Sequence, residues 1–236
     1  MKILLYITSH QQLEEYNYFA QFIKRLQINN ICDIFIYCNC PSINSKLVTY
    51  YQSFTQTNKR LFITNLNAGY RVGGVEAISE GFDMGIFQEY DYVIHLHPDV
   101  YLTDDKYLME ILNENLNNDT VFFITKSCTN DDKFFSFDFF IFKPKLLHEN
   151  IFKKELYTFS NSPENYLCDM IYKYEIKHCF IKRFENNSWF PRRIDENLKL
   201  YHEHDLEKVR NILQYVFTSN DVSTSKCIPK FTLYEL

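Results

Sequence analysis

The sequence predicts an α/β fold in which a mostly parallel central sheet carries helices on both faces and gives way to a mixed C-terminal half. Three observations carry that expectation. Over the first hundred residues, short runs rich in Ile, Val, Phe and Tyr alternate with amphipathic stretches of helical period, the order of parallel strands joined by crossover helices. Beyond residue 100 the one-for-one alternation loosens. All five glycines of the chain fall between positions 69 and 85, between the third and fourth strand runs.

The first strand is KILLYIT at 2–8, an unbroken apolar run of the kind that burial on both faces requires. A helix over 12–27 follows, with Phe19, Phe22, Ile23 and Leu26 at helical spacing. DIFIYC at 33–38 is the second strand, 42–54 the second helix and RLFITN at 60–65 the third strand. Val75, Ile78, Phe82 and Ile86 place a helix over 74–88. DYVIHLH at 91–97 is the fourth strand, and Pro98 ends it because proline offers no ladder hydrogen bond. The second half reads as a helix near 104–117, strands VFFIT at 121–125 and FFSFDFFIF at 134–142, and a helix after Ser162-Pro163. A strand near 178–183, an irregular stretch over 184–204, an amphipathic helix over 206–217 and a polar tail over 218–236 complete the chain. With no repeat or linker between the halves, residues 1–217 read as one domain.

A hydrophobic fraction of 46% with 23% charged residues is ordinary for a soluble protein, and a net charge of −5 argues against nucleic acid or anionic lipid as partners. The apolar run after Lys2 is too short for a signal-peptide core, and no stretch approaches the roughly 18 apolar residues of a membrane span, so a cytoplasmic protein is expected. The seven cysteines (Cys32, Cys38, Cys40, Cys128, Cys168, Cys179, Cys227) form an odd set without a CxxC pair, which suits reduced, mostly buried thiols.

Gly69, Gly73 and Gly74 follow a strand and precede a helix. There the backbone can turn with positive φ and present free amides at a helix N-terminus, where phosphate binds; a plain tight turn is the alternative. Their spacing is not the dinucleotide fingerprint, and the Lys-Ser/Thr of a P-loop is missing. Gly81 and Gly85, four apart, suit close packing of the helix against the sheet. In YVIHLHPD, strand alternation would set His95, His97 and Asp99 on one side, with Asp99 at the carboxyl edge where α/β sheets bind ligands. A core histidine at 95 and a turn aspartate at 99 are the competing readings. Asp138, inside the apolar run FFSFDFFIF, must be paired or face a cleft, because an isolated buried carboxylate is costly.

Over about residues 1–217 the chain resembles a GT-A-type glycosyltransferase, a nucleotide-sugar-dependent enzyme with a single Rossmann-like domain. The resemblance lies in Thr8-Ser9-His10 at the end of the first strand, the N-x-G-x-x-x-G segment from Asn67 to Gly73, and YVIHL running into His97-Pro98-Asp99. It implies transfer of a sugar, of hexosyl type, from a nucleoside-diphosphate donor such as a UDP-sugar to a hydroxyl of a glycan or other acceptor. Residues 1–100 would form the nucleotide half and 101–217 the acceptor half. Thr8, Ser9, His10, Asn39, Asn67, Gly69, Arg71, Gly73, Gly74 and His97 would then face the donor. The family's metal motif is Asp-x-Asp; here His97 stands in the first acidic place and Asp99 in the last, as the implied metal ligand.

His202 or His204 of LYHEHD is implied to return to that metal, and an imidazole beside carboxylate and phosphate oxygens suits Mn²⁺ better than Mg²⁺. A surface pair beside a helix capped by Asp205 is the alternative. An inverting mechanism needs a carboxylate to take the acceptor's proton, and the family's placement favours Glu164, with Asp138 and Asp169 as the other candidates. Ser162-Pro163-Glu164 is also a good helix start without any catalysis. Two other classes compete: a metal hydrolase built on His95, His97 and Asp99, and an inactive sugar-binding module. A nucleotide-sugar pyrophosphorylase would need a glycine-rich loop after the first strand, and Thr8-Ser9-His10-Gln11 has no glycine.

Overall fold

The computed structural model describes residues 1–9, 13–39, 48–49, 51–52, 54, 58–64, 72–126, 135–148, 150–153, 157, 162–181, 200–202 and 205–220. Its first half runs β1 (Ile3–Ser9), α1 (Leu13–Ile23), α2 (Ile28–Ile31), β2 (Cys32–Cys38), β3 (Lys59–Ile63), α3 (Val72–Asp83) and β4 (Tyr92–Leu96). Then come β5 (Val100–Leu102), α4 (Lys106–Glu114), β6 (Phe122–Lys126), β7 (Phe135–Phe142), α5 (Pro163–Lys173), β8 (His178–Phe180), β9 (Leu200–His202) and α6 (Leu206–Asn220).

Seven strands form one sheet in the order β3-β2-β1-β4-β7-β6-β8. The neighbours among β1 to β4 are parallel, β7 is antiparallel to both β4 and β6, and β8 is parallel to β6. Among the described residues β7 is therefore the one reversed strand of the sheet, which is mostly parallel, as the sequence predicts. Both faces are covered, which is why the strand runs are apolar without interruption. On one face Ile3, Leu5, Ile7, Ile34, Ile36 and Ile94 pack with Phe19, Phe22 and Ile23 of α1 and Val209, Ile212 and Leu213 of α6. On the other, Leu4, Tyr6, Phe35, Tyr37, Phe140 and Phe142 pack with Val75 and Ile78 of α3 and Leu167 and Ile171 of α5.

α3 ends earlier than its apolar period suggests. Gly85 takes φ +67°, its N–H donates to Phe82 O (2.9 Å), and Ile86 N–H donates to Gly81 O (3.0 Å). This left-handed cap ends the helix at Asp83, so Gly85 is its stop rather than a packing position inside it. Gly81 does serve close approach: a Cβ there would lie 2.3 Å from the Phe87 ring, which itself packs on Tyr6 and Phe142 of the sheet.

The short α2, a 3-10 turn at Pro144–Leu146 and the antiparallel strands β5 and β9 escape the sequence reading, β9 lying in the stretch expected to be irregular. The helix expected over 42–54 lies mostly outside the described residues, of which 48–49 and 51–52 are helical. α6 continues to Asn220, past its expected end and into the stretch read as a polar tail. Two buried charges tie elements together. Asp105, 3% exposed, accepts the Ile28 N–H at the start of α2 (2.7 Å). Lys143, 4% exposed, donates to the carbonyls of Asn115 (2.5 Å) and Asn118 (2.7 Å) beyond the end of α4, and burial holds its pKa below the usual lysine range. No helix among the described residues is long and apolar enough to cross a membrane.

Candidate active site

Strand register gathers the polar ends of the sheet into one row. Ile7 of β1 lies opposite Leu96 of β4, and Ser9 opposite Cys38 of β2. Just past those pairs, Asn39 N–H donates to Ser9 O (3.1 Å), Thr64 N–H to Cys38 O (2.9 Å) and His97 N–H to Asp138 O (3.1 Å). Thr64, Asn39, Ser9, His97 and Asp138 thus follow one another across the carboxyl edge of the parallel strands, where α/β sheets bind ligands.

α3 begins over this row. A Cβ on Gly73 would sit 2.6 Å from Asn39 Nδ2, and one on Gly74 2.9 Å from Phe137 Cε1. The two glycines let the first turn of the helix, whose leading amides have no partner within the helix itself, approach β2 and β7. Their φ values are those of ordinary helix, so close approach rather than a left-handed turn explains them.

Beneath the helix lies His95, with no exposed surface. Its Nε2 is 2.8 Å from Thr8 Oγ1, and its ring lies 4.6 Å from Phe140, 5.5 Å from Phe137 and 5.4 Å from His97, the last edge-on. Burial, reinforced by His97, pushes the His95 pKa well below the ordinary histidine value; Asp138 and the Phe137 backbone act the other way.

Asp138 reaches this cluster through an irregularity in β7. Between the pairs Ile124–Phe140 and Lys126–Phe135 the register with β6 shifts, so β7 carries extra residues, and such bulges re-aim side chains. Phe135 and Phe137 consequently face α5, Phe139 faces away and Phe140 faces α5 again. The half-buried Asp138 carboxylate accepts the Ser136 hydroxyl.

Asp99, 1% exposed, sits in the turn between β4 and β5, which Val100 N–H closes onto His97 O (3.1 Å). The next residue, Val100, pairs with His202 of β9. The backbone therefore brings the C-terminal LYH segment beside Asp99; the His202 side chain and all of His204 lie outside the described residues.

Other expected positions fall elsewhere. Ser9 Oγ is 2.5 Å from Tyr16 Oη and serves the α1 face, opposite to the one that Thr8 takes towards His95. This departure follows from strand alternation, which sends neighbours to opposite faces. Asp169 lies on the solvent side of α5, whose buried face is formed by Tyr166, Leu167, Met170 and Ile171. Glu164 is half-buried in the first turn of that helix, where Ser162 Oγ accepts the Asn165 N–H (3.2 Å). His10, Asn67, Gly69 and Arg71 lie outside the described residues.

The grouping of His95, His97 and Asp99 on one strand face does not form. β4 stops at Leu96, and among the described residues no three His, Cys, Asp or Glu side chains gather as a metal-holding group. With His95 enclosed by rings and engaged by Thr8, the three-ligand hydrolase loses a member. Ser136 and Tyr16 are the partners that sequence reasoning missed: Ser136 precedes Asp138 by two on an irregular strand, and Tyr16 is one of 18 tyrosines.

No family model matches the sequence, and no curated protein does. Solved structures do match. Mouse xyloside xylosyltransferase 1 aligns over 87% of this chain and 99% of its own at 8% identity and a TM-score of 0.54. The galactosyltransferase LgtC, solved in complex with donor and acceptor sugar analogs, aligns over 98% of both chains at 11% identity and a TM-score of 0.54. The glycosyltransferase GlyE of Streptococcus pneumoniae TIGR4 aligns over 93% of this chain and 64% of its own at 13% identity and a TM-score of 0.58. At these identities the likeness is one of fold: the chain has the GT-A architecture.

Proposed function

We propose that this chain is a glycosyltransferase that moves a sugar from a nucleoside-diphosphate sugar to an acceptor hydroxyl. The observation that carries the reading is the row of Asn39, His97 and Asp138, floored by Thr8 and His95, beneath the glycine-opened first turn of α3. That turn offers amides to a diphosphate, and the fold is shared with a xylosyltransferase and a galactosyltransferase. UDP is the nucleotide that the resemblance favours. Asp99 and His202, whose backbone pairs with the next residue, Val100, would offer a carboxylate oxygen and an imidazole nitrogen, a donor set suited to Mn²⁺ more than to Mg²⁺. Such an ion, when bound, neutralises charge on the departing diphosphate.

For proton transfer we favour Asp138 over Glu164. The bulge carries Asp138 into the strand-end row, whereas Glu164 has a sufficient role at the start of α5. As a general base Asp138 would take the acceptor hydroxyl's proton as the oxygen attacks the anomeric carbon, inverting it. A thermal-shift screen of UDP, GDP, ADP and CDP with and without Mn²⁺ tests the reading. A binding-competent nucleotide at 100 Kd adds about 2.7 kcal/mol of stability; no shift with any of the four overturns the assignment.

A further inference from the structure

The strongest unexplained group is His95. A ring enclosed by Phe137 and Phe140 and edge-on to His97 would pack at least as well as phenylalanine, without two nitrogens to desolvate. Its Nε2 meets the Thr8 hydroxyl, at the end of β1 (2.8 Å). Thr8 in turn lies next to Ser9, whose carbonyl anchors Asn39. His95 therefore joins the two arms of the site, β1–β2 through Thr8 and β4 through the His97 ring.

We infer that His95 is a positioning residue of the donor site, holding the Thr8 hydroxyl on one side and the His97 ring on the other so that the strand-end row keeps one geometry. This rests on the transferase reading above. It predicts that deleting the nitrogens damages ligand binding without damaging the fold, a combination that a core histidine does not produce.

The test is calorimetric titration of UDP in Mn²⁺, with thermal melting in parallel, on the full chain and on His95→Phe, Thr8→Val, Thr8→Ser and His95→Phe/Thr8→Val. His95→Phe keeps the ring and is expected to melt no lower than wild type, yet to bind UDP on the order of tenfold more weakly, the usual scale for losing a supporting hydrogen bond behind a site. Thr8→Val should lose a similar factor. Thr8→Ser should recover it, and the double variant should lose no more than either single one, because both remove the same contact. If His95→Phe misfolds, the two Thr8 variants carry the test. Wild-type affinity for UDP in His95→Phe or Thr8→Val overturns this inference alone. A wild-type chain that binds none of UDP, GDP, ADP and CDP overturns the transferase reading, and this inference with it.

Discussion

Gly73 and Gly81 share α3 but differ in what a methyl group would strike. At Gly73 it meets the terminal amide of Asn39, which can rotate aside; at Gly81 it meets the Phe87 ring, held between Tyr6 (4.9 Å) and Phe142 (5.5 Å). Gly73→Ala should therefore change stability by less than about 1 kcal/mol, helix propensity offsetting the clash, while weakening UDP binding. Gly81→Ala should cost about 1–3 kcal/mol, the range for overpacking a filled core. Urea melts beside nucleotide titrations separate the two. Among the carboxylates, Asp138→Asn should cut turnover by about 10²- to 10⁴-fold with the fold intact, the range for loss of a general base. If Glu164→Gln shows that loss and Asp138→Asn does not, the base lies on α5. Product NMR reads the anomeric outcome separately, and retention would exclude inversion.

At the scale of elements, the same helix stop occurs twice with different residues. α3 ends on Gly85 at φ +67°, whereas α5 ends on Glu175 at φ +51°, with Ile176 N–H donating to Ile171 O (2.9 Å). A side chain in the left-handed region is disfavoured, so Glu175→Gly should stabilise the protein by about 0.5–1 kcal/mol and Gly85→Ala destabilise it by about 1–2 kcal/mol, as melting would show. Neither cap is legible in the sequence: Ile86 carries the apolar period past Gly85, and nothing local marks a glutamate as left-handed. Lys143 is similarly hidden. Nothing in the sequence marks it as buried, yet its ammonium satisfies carbonyls beyond α4. Lys143→Met should cost about 1–3 kcal/mol, since those acceptors lose their donor.

Across the whole molecule, the buried histidine makes stability depend on pH. His95 is harder to protonate in the folded chain than its ordinary value of 6.5, so the unfolded chain binds the proton first. Stability is full above pH 6.5 and falls as the pH drops below it, by up to about 1.4 kcal/mol per unit until the folded value is reached. The depressed carboxyls Glu89 and Asp91, with ordinary values of 4.5 and 3.8, lose their contributions only at lower pH. Urea midpoints between pH 7.5 and 5.5 should fall in wild type and stay flatter in His95→Phe.

By itself the sequence determined the order of β1 to β4, β6 to β8, α1 and α3 to α6, the two-sided burial of β1, β2 and β4 and the carboxyl-edge place of Asp99. Those follow from local period, apolar run length and the proline after His97, all of which act between near neighbours. Tertiary structure alone decided that β7 lies reversed between β4 and β6, that its bulge aims Asp138 towards the strand-end row, that His95 meets Thr8 and that β9 returns to β5 beside Asp99. Each of these joins residues far apart in the chain, and the energy that selects such a pairing comes from packing and hydrogen bonding across the sheet, which no local pattern records.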